Sequence, residues 1–149
     1  MNRVELLKVL GSLDLDPKEY WLITGGAMVF YGFRKETGDL DLGCTSKLAD
    51  ELEAKGHPVE IMPDGTRKIS PVLDVEIFEN WLYDQVEIID SIPVISVKGL
   101  IAMKKSIGRE KDLKDIQLIE RYLDDHEGEA ICPSFPNRSI SGSLPISGN

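Results

Sequence analysis

The stretch Gly38-Asp39-Leu40-Asp41-Leu42-Gly43 decides how this chain is read. In an extended strand, alternate side chains share a face. Asp39 and Asp41 then point one way, and Leu40 and Leu42 point the other way, into a core. Two carboxylates held side by side repel, and each raises the other's pKa. A divalent cation relieves that repulsion. Upstream lies Tyr20-Trp21-Leu22-Ile23-Thr24, which reads as a short buried strand, and then the pair Gly25-Gly26. A glycine turn offers bare backbone N–H groups to phosphate. The combination calls for a metal-dependent nucleotide site.

The bulk properties set limits on that reading. A chain of 149 residues suits one domain and can bury a core without disulfides. No apolar run approaches the roughly 20 residues that span a bilayer, so no membrane role is expected. The N-terminus enters helical patterning directly and lacks the apolar segment of a secretory signal. Cys44 and Cys132 stand far apart with no paired-cysteine motif, which makes a cytoplasmic location the expectation. The net charge of −9 argues against general coating of nucleic acid, while leaving room for a small basic patch around a site.

Apolar periodicity places a helix over about 3–13 and a break at Pro17. After the strand at 20–24, Gly25-Gly26 ends it and residues 27–33 form a short helix. Residues 34–38 are a polar loop, and 39–42 are the acidic strand. Thr45 or Ser46 caps a helix that Gly56 terminates. Further strands are expected at 59–62, 72–78, 85–89 and 92–95, with helices at 97–107 and 111–123 separated at Gly108. Residues 1–126 form one domain of the α+β (mixed α/β) class, a mixed sheet with helices packed against it. From 127 to 149 prolines and glycines are spread among serines, and a flexible or extended tail is expected.

The segment Leu73-Asp74-Val75-Glu76-Ile77 alternates strongly. As a strand it sends Leu73, Val75 and Ile77 one way and Asp74 and Glu76 the other. Beside the Asp39/Asp41 strand it brings three or four carboxylates together. Such a group can hold one or two Mg²⁺ ions, which prefer carboxylate and phosphate oxygens. The third carboxylate of such a group can also accept the proton of an attacking hydroxyl, and Glu76 adds a carboxylate on Asp74's face. The bland reading of each element is a solvated strand edge or an ordinary turn. Lys104 falls on the apolar stripe of its helix, at i+7 from Val97. It either snorkels to solvent or reaches the carboxylates or a triphosphate. Asp112 and Asp115 suit a helix N-terminus, and Lys111 and Asp115 stand at i,i+4 spacing. There is no P-loop, no G-x-G-x-x-G and no H-E-x-x-H, and neither His57 nor His126 has a partner at zinc spacing.

The order of these elements resembles the nucleotidyltransferase superfamily, which pairs two glycines with a D-x-D strand and a later acidic strand. The matching text is Ile23-Thr-Gly-Gly-Ala27, Arg34-Lys-Glu-Thr-Gly-Asp-Leu-Asp-Leu42 and Leu73-Asp-Val75. The loop before Asp39 looks like the branch holding antibiotic nucleotidyltransferases and AbiEii-type toxin enzymes. The run from Leu100 to Ile116 is similar to that branch's "L-I-A-M-K … R-x-K-D … D-I" segment. The resemblance covers roughly 21–123, with a weak stretch between 47 and 70. It implies a nucleotidyltransferase-like fold. It also implies that Gly25 and Gly26 cradle a nucleoside triphosphate, that Asp39 and Asp41 bind Mg²⁺, and that Asp74 completes the set. Arg34, Thr37 and Lys104 join the expected nucleotide-binding residues. Relatives often carry Ser or Trp near the glycine pair, where this chain has Ala27 and Met28.

The expected reaction is transfer of a nucleoside monophosphate from an NTP to an acceptor: a small molecule, RNA or protein. The alternative is a non-catalytic module of the same fold that binds nucleotide or protein, such as a toxin–antitoxin component. A homodimer or a partner protein is compatible with either reading. A third reading is a solvated acidic sheet with no site.

Overall fold

The alternation around Leu40 and Leu42 is realised as the central strand of a sheet. A computed structural model of the protein describes residues 1–82 and 84–125. Within them, α1 (Arg3–Leu13) precedes β1 (Tyr20–Leu22), α2 (Thr24–Phe30), β2 (Leu40–Cys44) and α3 (Ser46–Ala54). Next come β3 (Val59–Ile61), β4 (Arg67–Val72), β5 (Val75–Glu79), β6 (Val86–Ile89) and β7 (Ile92–Ile95). The helices α4 (Val97–Ile107) and α5 (Glu110–Asp125) complete the described chain. This is the expected mixed α/β architecture. The expected tail, 127–149, lies outside the described residues.

The sheet order is β3-β4-β5-β2-β1-β7-β6. β2 pairs parallel with β5 on one side and antiparallel with β1 on the other. β1 pairs parallel with β7, while β3–β4, β4–β5 and β6–β7 are antiparallel. Leu40, Leu42, Val75, Ile77, Leu22 and Val94 are fully or almost fully buried in one core. Strand alternation sets them on one face, where the helices pack. Trp21, Gly43 and Phe78 share a register row on the opposite face. There the Trp21 indole N–H donates to the Trp81 carbonyl at 2.9 Å, and Phe78 stacks on Trp81 with ring centroids 4.4 Å apart.

One contact ties the end of α2 to the sheet and another ties it to α5. Tyr31, just after α2, donates its hydroxyl to the Ile95 carbonyl at 2.9 Å. Phe33 meets the edge of Tyr122 on α5, with centroids 4.9 Å apart. At the other end Arg67 binds Glu79 at 2.7 Å, Asp50 at 2.9 Å and Glu53 at 3.0 Å, joining α3 to β4 and β5. The Arg67 guanidinium holds the Glu79 carboxyl down at about 2. Among the described residues no helix is long and apolar enough to cross a membrane.

Two expectations need correction. The glycine pair does not end a strand before a helix at 27. It forms the first turn of α2, which begins at Thr24. The segment 72–78 is not one strand either. It is the hairpin of β4 and β5, turning at Leu73 and Asp74, with Asp74 at φ 63° and Val72 opposite Val75. Pro71 masks β4 in the sequence, because proline cannot donate to a ladder. The structure accommodates it where the β4–β5 register shifts, between Ile69 and Val72.

This hairpin makes a prediction about Leu73, which alternation alone would bury and which is 89% exposed. Leu73→Ser should change unfolding free energy by less than about 0.5 kcal/mol. Ile77→Ala, on the buried face, should cost about 2–5 kcal/mol. Urea titration of the two variants checks the contrast.

Candidate functional site

The parallel register of β2 and β5 sets Asp41 directly beside Glu76. Asp39 stands one step before β2 and, by alternation, on the same side. Asp39 is exposed and Asp41 is half-buried. Burial raises the Asp41 pKa first, and the Asp39 charge next, to about 6. Glu76 adds to the rise, while the Thr24 hydroxyl and the Lys111 ammonium oppose it. The Asp41 carboxylate is thus a charge in excess of what its protein partners neutralise.

Thr24 holds that carboxylate directly. Its hydroxyl donates to Asp41 Oδ2 at 2.9 Å. Its backbone sits at φ 46°, an unusual conformation for a β-branched residue. Strain of this kind costs on the order of 1–3 kcal/mol and persists only where the surroundings impose it. Here the chain must leave β1, place a hydroxyl on Asp41 and enter α2 within one residue. Gly25 and Gly26 then allow α2 to pass close to its neighbours. A β-carbon on Gly25 would lie 2.2 Å from the Thr37 hydroxyl oxygen, and one on Gly26 would lie 3.1 Å from Leu22. Gly26 is therefore a packing glycine against the sheet, and Thr37 covers Gly25.

Asp74 is exposed in the β4–β5 turn. Its contact with the acidic strand is a backbone one: the Leu40 N–H donates to the Asp74 carbonyl at 2.8 Å. The position beside Asp41 belongs to Glu76, flanked by buried Val75 and Ile77. Lys68 on β4 lies 3.4 Å from the Glu76 carboxylate. Among the described residues, no group of three Asp, Glu, His or Cys side chains forms a preformed metal cage. Cys44 is buried, and burial followed by the Glu79 charge pushes its thiol up to about 12, so it is no nucleophile at neutral pH.

Lys104 is 3% exposed, so it does not snorkel. Its ammonium lies 3.0 Å from Asp115 and 3.6 Å from Asp112, both buried on α5. Arg34 also binds Asp115, and Arg109 binds Asp112 through Nε at 2.6 Å and Nη2 at 3.2 Å. The expected Lys111–Asp115 pair gives way to these contacts. The sequence carries no sign of Thr24 as a site residue, and it favours a structural role for Arg109 at the start of the last helix. Thr24 carries no motif signal, because its role comes from the turn into α2. Arg109 reads as an ordinary residue of a helix start until its partner is seen to be buried.

No protein-family model matches the chain, and no curated protein matches its sequence. Among solved structures, the chain is similar to the lincosamide antibiotic adenylyltransferase LnuA in its lincomycin-bound crystal structure. Identity is 16%, the match covers 78% of this chain and 93% of that one, and the TM-score is 0.48. A likeness of that size adds nothing to the chemistry of the site, which rests on this chain's own residues.

The raised Asp41 pKa has a consequence for stability without divalent cations. Below the unfolded-state value of 3.8, Asp41 is protonated in both states and costs nothing. Between there and about 6 the unfolded chain ionises first, so stability falls as pH rises. Above that window the cost is fully present. Asp41→Asn should therefore stabilise the protein by about 1–2 kcal/mol at pH near 8 relative to its effect at pH near 3.5. Urea unfolding of both proteins at the two pH values, in chelator, measures this difference.

Proposed function

We propose that the chain is a nucleotidyltransferase that uses a divalent cation, most suitably Mg²⁺, to transfer a nucleoside monophosphate from an NTP to an acceptor nucleophile. The observation that carries the reading is the half-buried, under-neutralised Asp41 set between Asp39 and Glu76, at the foot of a helix opening Thr24-Gly25-Gly26. Ordinary folding gives no reason to hold three carboxylates there. The strained Thr24 that fixes Asp41 points the same way. The order of motifs resembling the nucleotidyltransferase superfamily supports the fold and the reaction class. A cytoplasmic location goes with this reading.

The donor set fits the ion. Mg²⁺ is bound by one or two carboxylates plus substrate phosphates rather than by an all-protein cage. Asp39 and Asp41 supply the two carboxylates, and their hard oxygens suit it. When bound, the ion would neutralise charge on the triphosphate. Asp41 is oriented for this by the Thr24 hydroxyl. Glu76, rather than Asp74, is assigned as the third carboxylate. It accepts the proton of the acceptor hydroxyl. The acceptor oxygen's lone pair then forms the bond to the α-phosphorus, the bond from that phosphorus to the bridging oxygen breaks, and its electron pair leaves with pyrophosphate.

A non-catalytic nucleotide- or protein-binding module is the second reading. The covering of Gly25 by Thr37 favours it. Calorimetry with Mg-ATP, Mg-GTP, Mg-CTP and Mg-UTP and a radiolabel-transfer assay decide between them. The enzyme should bind at least one nucleotide, and Asp39→Asn/Asp41→Asn should abolish binding with the fold intact. Glu76→Gln should lower transfer about 100-fold or more with little change in nucleotide affinity. Asp74→Asn should leave both within a few-fold. Binding of none of the four nucleotides by the folded wild type refutes the enzyme.

A further inference from the structure

Around the α4–α5 junction, charge is arranged in two shells. The inner one is Lys104 between Asp112 and Asp115, all three almost fully removed from solvent. Each carboxylate is divided between an inward and an outward partner. Asp115 gives Oδ2 to Lys104 and Oδ1 to Arg34. Asp112 gives Oδ1 to Lys104 and Oδ2 to Arg109 Nε. The two arginines come from different places, Arg34 from the loop that leads into Asp39 and Arg109 from the turn between α4 and α5. Both remain open to solvent, with side chains 40% and 53% exposed. The contacts use Nη2 of Arg34 for Asp115, and Nε and Nη2 of Arg109 for Asp112.

We propose that Lys104, Asp112 and Asp115 are positioning residues that hold Arg34 and Arg109 as a two-guanidinium receptor for the polyphosphate tail of a nucleoside triphosphate, next to the Asp39/Asp41 pair. The identity of the anion rests on the nucleotidyl-transfer reading; the receptor itself rests on the ion pairs. A purely structural role explains the cluster poorly. A buried ionic trio is often no more stabilising than well-packed apolar side chains of similar volume. What apolar residues cannot do is aim two exposed guanidinium groups. Planar guanidinium groups match phosphate oxygens with paired N–H donors, and a group already held in place loses less freedom on binding.

Charge and location agree with this. Arg34, Lys104 and Arg109 are three cations around the two carboxylates Asp112 and Asp115, in a chain of net charge −9. Lys111 and Arg109 are both near enough to Asp41 to feel its charge. An anion with several phosphates would meet the arginines at one end and a cation on Asp39 and Asp41 at the other. Lys104, expected from the sequence as a nucleotide contact, acts instead through the two aspartates.

Inorganic tripolyphosphate with Mg²⁺ is the probe, and calorimetry at low and at physiological salt is the readout. Arg34→Gln and Arg109→Gln, both changes at exposed side chains, should each weaken binding about tenfold and reduce its salt dependence. Arg34→Lys should recover part of the loss. Asp115→Asn provides the sharper test. It removes a negative charge, so unguided electrostatics predicts tighter binding of an anion, whereas loss of positioning weakens it several-fold in the folded variant. Tripolyphosphate binding as tight in both glutamine variants as in wild type overturns the inference, as does tighter or unchanged binding by folded Asp115→Asn. The two proposals fail separately. Arginine-dependent tripolyphosphate binding without any nucleotidyl transfer leaves the receptor standing and removes the reaction. Transfer with an unchanged nucleotide KM in the arginine variants does the reverse.

Discussion

Asp41 and Glu76 occupy one register position on neighbouring parallel strands at the centre of the sheet. Their charges lie close together at a half-buried place, where repulsion is screened less than in water, and exposed Asp39 adds a third nearby. The fold tolerates this because Leu40 and Leu42 on the other face are fully buried and hold β2 in place. A one-residue slip of β2 would exchange the two sets. The register that secures the core is thus the same register that sets carboxylate against carboxylate, and the strained Thr24 with its bond to Asp41 follows from it.

The helical layer completes the site from the other side of the same strands. α2 starts immediately after β1 and returns the chain, through the loop bearing Arg34 and Thr37, to Asp39. The close approach of Thr37 to Gly25 and of α2 to Leu22 requires small residues at the helix start. α4 and α5 then bring Lys104, Asp112 and Asp115 into one buried cluster. Cations therefore border an acidic centre within a protein that is acidic as a whole. That division of charge suits a ligand that is itself both anionic and metal-bound.

Much of this was legible before any coordinates. The helices at 3–13 and 97–107 and the strand at 92–95 follow apolar periodicity and capping residues, which are local, and the strands expected at 20–24 and 39–42 stand at 20–22 and 40–44. Asp39 and Asp41 stand two positions apart in the chain, so alternation alone puts them on one side. Which of Asp74 and Glu76 stands beside Asp41 was not legible. It depends on where the β4–β5 hairpin turns, and Pro71 made β4 unreadable as a strand. The start of α2 at Thr24 was hidden too, because two glycines look like a terminator until their packing against Leu22 and Thr37 is visible. Lys104 was recognisable as an anomaly on an apolar stripe, yet its partners lie on another helix.

The sequence by itself determined the class of the domain, the paired carboxylates and the apolar faces that bury the sheet. Each depends on spacing along one strand or helix, where backbone geometry leaves few choices. Only the tertiary structure decided which third carboxylate stands beside Asp41, what orients it, and that Arg34 and Arg109 share a buried anchor. Those relations join segments tens of residues apart. They are set by strand register and helix packing, which the burial of Leu40, Leu42, Val75 and Ile77 selects for the fold as a whole.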